Sequence, residues 1–183
     1  MNIVAIVGSP RLKGNTNYLV DRALEEANRP GIETEKIMLG EHDVRPCLGH
    51  DNCASLDSCL QKDDAPMILE RFRTADAVIL ATPVYYYNVS AQMKAFIDRN
   101  YFIYKHEQKY RARAVGLIVV AEQEGIEDTL HTLRQFADEL SLSGDRVFVA
   151  SGYASRPWDA RSNTSLVEVA ADLGRRIAES LKA

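Results

Sequence analysis

Three stretches of this 183-residue chain concentrate side chains with chemistry to offer. The first is Gly8-Ser9-Pro10-Arg11-Leu12-Lys13-Gly14-Asn15-Thr16, which runs into a segment of helical spacing. Unsatisfied N–H groups at a helix start and the helix dipole both favour an anion. Arg11 adds a charge-assisted hydrogen bond of about 1.5–3 kcal/mol. A monophosphate suits such a loop. Asn15 stands where a Walker A loop needs Lys, and the glycine spacing departs from the dinucleotide fingerprint as well. The alternative is an ordinary turn capped by Asn15 or Thr16.

The second stretch is Thr82-Pro83-Val84-Tyr85-Tyr86-Tyr87-Asn88-Val89-Ser90. Three consecutive tyrosines on a loop cannot all be core, and aromatic faces beside a phosphate site suit a planar heterocycle. Pro83 fixes the turn, and backbone groups from Val84 to Asn88 are in place to hydrogen-bond a ring. Ser90 or Asn88 caps the following helix. The competing reading is a set of surface tyrosines covering a subunit contact. The third stretch is Cys47-x2-His50-x2-Cys53-x5-Cys59, which holds all three cysteines of the chain. Thiolate and imidazole are ligand types for zinc and for iron–sulfur clusters. Cys47, His50, Cys53 and Cys59 are therefore metal candidates, against the plainer expectation of three reduced thiols in a loop.

These loops need a scaffold, and the apolar pattern supplies one. Residues 2–8, 75–82, 114–121 and 146–151 are short, near-continuous apolar runs, as strands covered on both faces require. A more polar run, residues 33–39, suits a sheet edge. Helical stripes lie between: Leu19, Ala23, Leu24 and Ala27; Met93, Phe96, Ile97, Tyr101 and Tyr104; Ile126, Leu130, Leu133, Ala137 and Leu140; Leu166, Ala170, Leu173, Ile177 and Leu181. A further helix is expected over residues 63–73. Five strands alternating with five helices predict a three-layer α/β sandwich with a parallel sheet in the flavodoxin-like order 2-1-3-4-5, as one domain over residues 1–183. Ligands bind such a sheet beyond the strand carboxyl ends where the order reverses, between strands 1 and 3. Both the phosphate loop and the tyrosine loop follow those strands.

Composition narrows the function classes. The chain is 46% hydrophobic and 26% charged with a net charge of −4, which fits a globular protein and counts against a nucleic-acid binder. No apolar run reaches the roughly 18–20 residues of a membrane span. Clustered, odd-numbered cysteines point to a reducing, cytoplasmic setting rather than a disulfide framework. His42, His106 and His131 lack companion ligands. The aromatic and basic stretch 101–113 reads as a subunit contact or a solvated face.

Gly-Ser-Pro-Arg-x-x-Gly-Asn-Thr after a first strand resembles the FMN phosphate loop of the NAD(P)H-dependent FMN reductase-like flavoproteins. Pro-Val-Tyr-x-x-x-Val-Ser-Ala-Gln-x-Lys-x-x-x-Asp-Arg resembles their isoalloxazine-binding segment and following helix. The resemblance implies that Ser9, Arg11, Gly14, Asn15 and Thr16 hold the FMN phosphate, and that Pro83, Val84, Tyr85, Tyr86 and Asn88 hold the ring. It further implies an oxidoreductase that passes electrons from NADPH or NADH through FMN to a small-molecule acceptor such as a quinone or flavin. Members form dimers or tetramers, and Asp98 and Arg99 would end a helix used in subunit packing. A third loop, Glu122-Gln123-Glu124-Gly125, has glutamates where members are often Gly-rich. The iron–sulfur flavoproteins, a subset of that family, carry four cysteines at the place of residues 47–59 and use a cluster for electron relay. Here His50 replaces the second cysteine, so an electron carrier with a cluster is the alternative rather than the favoured expectation.

Overall fold

Each apolar run forms a strand in the computed structural model, which describes residues 1–142 and 146–182. Strands β1 (Asn2–Val7), β2 (Glu33–Met38), β3 (Ala77–Pro83), β4 (Val115–Ala121) and β5 (Val147–Tyr153) make one sheet in the order β2-β1-β3-β4-β5. Every pairing is parallel, with Ile3 opposite Thr34 on one side and Ala77 on the other. The polar run became edge strand β2, where one flank is free of neighbours. The single-domain expectation extends over residues 143–145 and 183, which lie outside the described residues.

Among the described residues there are six α-helices: α1 (Asn15–Ala27), α2 (Ala65–Thr74), α3 (Ala91–Arg99), α4 (Tyr101–Lys105), α5 (Ile126–Glu139) and α6 (Thr164–Ser180). Alternate strand residues face opposite layers. Ile3, Ala5, Val7, Ile79 and Ile118 pack with Leu19 and Ala23 of α1 and Leu173 and Ile177 of α6. Val4, Ile6, Leu80, Leu117 and Val119 pack with Phe72 of α2, Phe96 of α3 and Leu133 of α5. Phe72 meets Phe96 edge to face at 5.0 Å and stacks with Phe136 at 6.0 Å. Such pairs add about 0.5–1.5 kcal/mol beyond their buried area. Helices α1 and α6 approach closely: a Cβ at Gly174 would fall 1.9 Å from the Ala23 carbonyl oxygen. The result is the flavodoxin-like three-layer sandwich.

The helix after β3 differs from expectation. The apolar stripe through Met93, Phe96, Ile97, Tyr101 and Tyr104 carries the helical period past Asn100, whereas residues 100–113 also read as an irregular connection to the next strand; the structure breaks the helix at Asn100. The buried Asn100 amide donates to the Phe96 carbonyl at 2.8 Å, and its Oδ1 accepts from the Tyr110 hydroxyl at 2.9 Å. An amide that bonds its own helix backbone competes with the regular ladder. The turn moves Tyr101 and Tyr104 off the core face, leaving both exposed, Tyr104 by 65%. The helix expected over residues 63–73 spans Ala65–Thr74, with Pro66 in its first turn.

Candidate functional site

Beyond β1 the chain turns to α1 on one face of the sheet, and beyond β3 it turns to α3 on the other. The crevice between them is held by Ser90, which is fully buried. Its hydroxyl donates to the Gly8 carbonyl at 2.6 Å and accepts from the Met93 N–H at 3.2 Å, so it caps α3. Its own N–H donates to Thr82 Oγ1 at 3.0 Å. One serine thus ties the ends of β1 and β3 to the start of α3. Gly8 is required beside it, because a Cβ there would lie 2.7 Å from that of Met93.

Helix α1 starts without a side-chain cap. Gly14 occupies the N-cap position, and the first backbone bond runs from Tyr18 N–H to the Gly14 carbonyl at 3.1 Å. The N–H groups of Asn15, Thr16 and Asn17 are therefore free of protein partners among the described residues, as an anion site requires. Gly14 also keeps the loop tight: a Cβ would sit 3.0 Å from that of Arg11. Ser9 is buried, and its hydroxyl oxygen accepts from the Arg11 N–H at 3.2 Å. Arg11 is exposed, and Thr16 is buried in the first turn. Asn15 has a second duty: its amide donates to the Arg156 carbonyl at 2.8 Å and its Oδ1 accepts from the Ala160 N–H at 3.2 Å. Its side chain anchors the β5–α6 loop, and its backbone N–H stays open.

The tyrosine loop is a tight hairpin. Tyr85 and Asn88 exchange backbone bonds of 2.9 and 3.2 Å, which leaves Tyr86 and Tyr87 as the two turn residues, at φ +48° and +63°. That is the left-handed geometry of a two-residue hairpin turn, normally filled by Asn-Gly. Tyr86 is 99% exposed. The hairpin leans on the end of β4 and on the loop that follows it. Val84 N–H donates to the Val120 carbonyl at 2.8 Å, and the Tyr87 hydroxyl donates to Glu124 at 3.0 Å. The Glu124 hydrogen bond and charge push the Tyr87 phenol above its ordinary value. Gly125, at φ +87°, lets the two loops touch, since a Cβ would meet Tyr87 Cα at 2.8 Å. Glu124 is thereby accounted for as a strut of the hairpin.

The cysteine segment is clamped at its stem. Arg99 and Asp63 form an ion pair with both side chains buried, and Arg99 Nη2 donates to Asp63 Oδ1 at 3.0 Å. Arg99 also donates to the Arg45 carbonyl at 3.0 Å and to Cys59 Sγ at 3.4 Å. Burial alone would raise the Asp63 carboxyl, but the Arg99 bond, the Arg45 and Ala65 N–H groups and the Arg99 charge hold it below the ordinary value. Arg99, expected at a subunit contact, is instead buried inside this chain. Burial, then the neighbouring Cys47 and Cys59, push the Cys53 thiol up. Among the described residues no three His, Cys, Asp or Glu side chains converge so as to hold a metal ion. As arranged here, Cys47, His50, Cys53 and Cys59 do not meet at a common point that would hold a metal ion. His106 stacks on Phe102 and places its two ring nitrogens 2.7 and 2.8 Å from the Phe102 and Leu56 carbonyls, fastening α4 to the same segment.

Sequence reasoning missed the β5–α6 loop, residues 154–163, which folds over the start of α1. Arg161 lies 5.1 Å from the Tyr18 ring and 4.7 Å from the Trp158 ring. The available signal was the single tryptophan, set between arginines and next to Pro157. A cleft of about 1110 Å³ lies elsewhere, between α3, α4 and α5, with Cys47, Tyr101, Tyr104 and Phe136 in its wall. None of the expected cofactor residues lines it.

The flavodoxin-like sheet thus places an uncapped helix start after β1 and an aromatic hairpin after β3, the two strands at its switch point. Comparison with known proteins gives the family: a model of NADPH-dependent FMN reductases matches residues 1–154, and the chain belongs to that family of FMN-dependent oxidoreductases. It is 34% identical over 190 residues to an iron-sulfur flavoprotein of Methanocaldococcus jannaschii, covering 100% of this chain and 98% of that protein. It is 42% identical over 120 residues to an iron-sulfur flavoprotein of Archaeoglobus fulgidus, a match that covers 66% of this chain and 54% of that protein, so the chain spans about half its length. A Bacillus subtilis protein named as an NAD(P)H-dependent FMN-containing oxidoreductase is 32% identical over 54% of this chain and 51% of its own length. An NAD(P)H:quinone oxidoreductase from Methanothermobacter marburgensis shares the fold at a TM-score of 0.68 and 19% identity, over 96% of this chain and 98% of its own. No described helix is long and apolar enough to cross a membrane.

Proposed function

We propose that this protein takes electrons from NADPH or NADH and passes them through FMN to a small-molecule acceptor such as a quinone or a flavin. The observation that carries the reading is the start of α1: three free N–H groups beside Arg11 after β1, with the tyrosine hairpin following the neighbouring strand β3. FMN supplies the hydride acceptor and the onward donor when bound. The chain's part is to bind and orient. Ser9, Arg11, Gly14, Asn15 and Thr16 hold the phosphate, Asn15 through its N–H and by bracing the β5–α6 loop. Pro83, Val84, Tyr85, Tyr86 and Asn88 hold the ring, with Tyr87 and Glu124 fixing the hairpin. No side chain is given an acid or base role. Residues 1–183 act as one FMN-binding domain, in the cytoplasm, where three unpaired thiols stay reduced. The reading includes a homodimer or homotetramer, supported by exposed Tyr101 and Tyr104 beside the α3–α5 cleft.

Two experiments test it. An anaerobic visible spectrum of the FMN-loaded protein should bleach on addition of NADPH or NADH. Arg11→Ala should weaken FMN binding roughly tenfold or more, the loss of one charge-assisted bond; unchanged affinity would overturn the phosphate assignment. The names of the archaeal relatives favour a second reading, an electron carrier with an iron–sulfur cluster at residues 47–59. His50 and the failure of the four side chains to converge weigh against it. Bound iron and broad absorption beneath the flavin bands would establish it.

A further inference from the structure

In a chain of net charge −4, a local excess of positive charge stands out. Arg11, Lys13, Arg156 and Arg161 gather around the start of α1, and among the described residues none of them meets a carboxylate. Arg11 and Lys13 belong to the β1–α1 loop. Asn15 brings in the other two by gripping the Arg156 carbonyl and the Ala160 N–H. A monophosphate carries a charge of about −1.5 to −2, which the helix start and the first two cations already balance. Two arginines are left over.

Between those two stands Trp158, 44% exposed and held at φ +81°. A bulky residue in that region is uncommon and costly to hold. Its loop is fastened by the Arg156 N–H to Asp159 Oδ2 at 2.7 Å and by the Arg161 N–H to the Trp158 carbonyl at 3.0 Å. Asp159 is the loop's own acid, and it is engaged by that N–H rather than by a guanidinium. Arg161 Cζ lies 5.1 Å from the Tyr18 ring and 4.7 Å from the Trp158 ring, and among the described residues its guanidinium makes no hydrogen bond or ion pair, which leaves its donors for a planar bidentate partner. An exposed indole next to two free guanidinium groups offers stacking to a base and charge to a phosphate.

We propose that Arg156, Trp158 and Arg161 form a second anion subsite, which takes the 2′-phosphoadenosine end of NADPH, with the indole against adenine and the guanidinium groups on the 2′-phosphate. NADPH and NADH differ by that phosphate alone, so the β5–α6 loop sets the preference for NADPH. The inference deepens the reductase reading and rests on it.

The test uses FMN-loaded protein, so that the first phosphate site is filled. Calorimetry with 2′,5′-ADP and with 5′-AMP should show the former binding at least tenfold more tightly. Arg156→Ala, on an exposed loop, should remove most of that margin, and the NADPH-to-NADH ratio of kcat/KM should fall about tenfold. Arg161→Lys keeps the charge but loses the planar edge and should give a smaller fall. Equal binding of 2′,5′-ADP and 5′-AMP overturns the proposal. So does a loss of FMN rather than of 2′,5′-ADP in Arg156→Ala, which would hand the arginine to the FMN phosphate. If neither nucleotide reduces the flavin, the reductase reading fails by itself, because 2′,5′-ADP binding is read without electron transfer.

Discussion

Asp63 and Arg99 meet with both side chains out of water, and removing one partner strands the other. Asp63→Asn should destabilise the protein by about 3 kcal/mol or more at neutral pH, read as a lower urea midpoint with an unchanged slope. Because the folded state holds the Asp63 carboxyl below its ordinary value, its contribution is complete above about pH 4 and is lost as pH falls through the folded value. The gap between wild type and Asp63→Asn should therefore narrow in acid. Ser90→Ala removes a buried cap that also holds Gly8, and should cost about 1–2 kcal/mol. Neither role was fully legible in the sequence. Ser90 is readable as a cap, since Ser before a helix is a local signal. Its bond to Gly8 spans 82 residues, and no local pattern encodes that. Arg99 likewise reads as a helix-end cation until Asp63 is seen against it.

Among the elements, the tyrosine hairpin is the place where local preference and structure disagree. Two tyrosines occupy turn positions that favour Asn-Gly, at about 1–2 kcal/mol for each left-handed residue. Replacing Tyr86 and Tyr87 by Asn and Gly should raise Tm by roughly 3–8 °C while weakening FMN binding. A fall in Tm would show that the rings stabilise the fold rather than serve a ligand. The four apolar strands were legible because burial on both faces leaves an unbroken signal, and edge strand β2 because its outer flank is polar. Helices α3 and α4 were not separable, because the period of 3.6 runs on through Asn100. The break depends on Tyr110, ten residues further along. The hairpin's position after β3 was readable, but its backbone conformation was not, because Tyr-Tyr carries no turn signal.

At the scale of the whole molecule, the three layers followed from alternation and handed crossovers, and the strand order and switch point from the common order of five-stranded sheets of this kind, which need no long-range detail. The stripe of the last helix was legible too, but its close contact with α1 was not. The family model's match ends at residue 154, while α6 begins at Thr164 and covers β4, β5 and α1. Gly174→Leu should separate α6 from Ala23 and cost at least 1–3 kcal/mol, as overpacking does, read by thermal unfolding. Translation gives the contact a further meaning. Ribosomes add about 5–20 residues per second, so all five strands emerge on the order of seconds before the last helix. During that interval Leu19, Ala23 and the sheet residues beneath them have no cover, and the nascent chain shows its greasiest side to whatever is near. Gly174 is the notch that lets α6 close this window against Ala23.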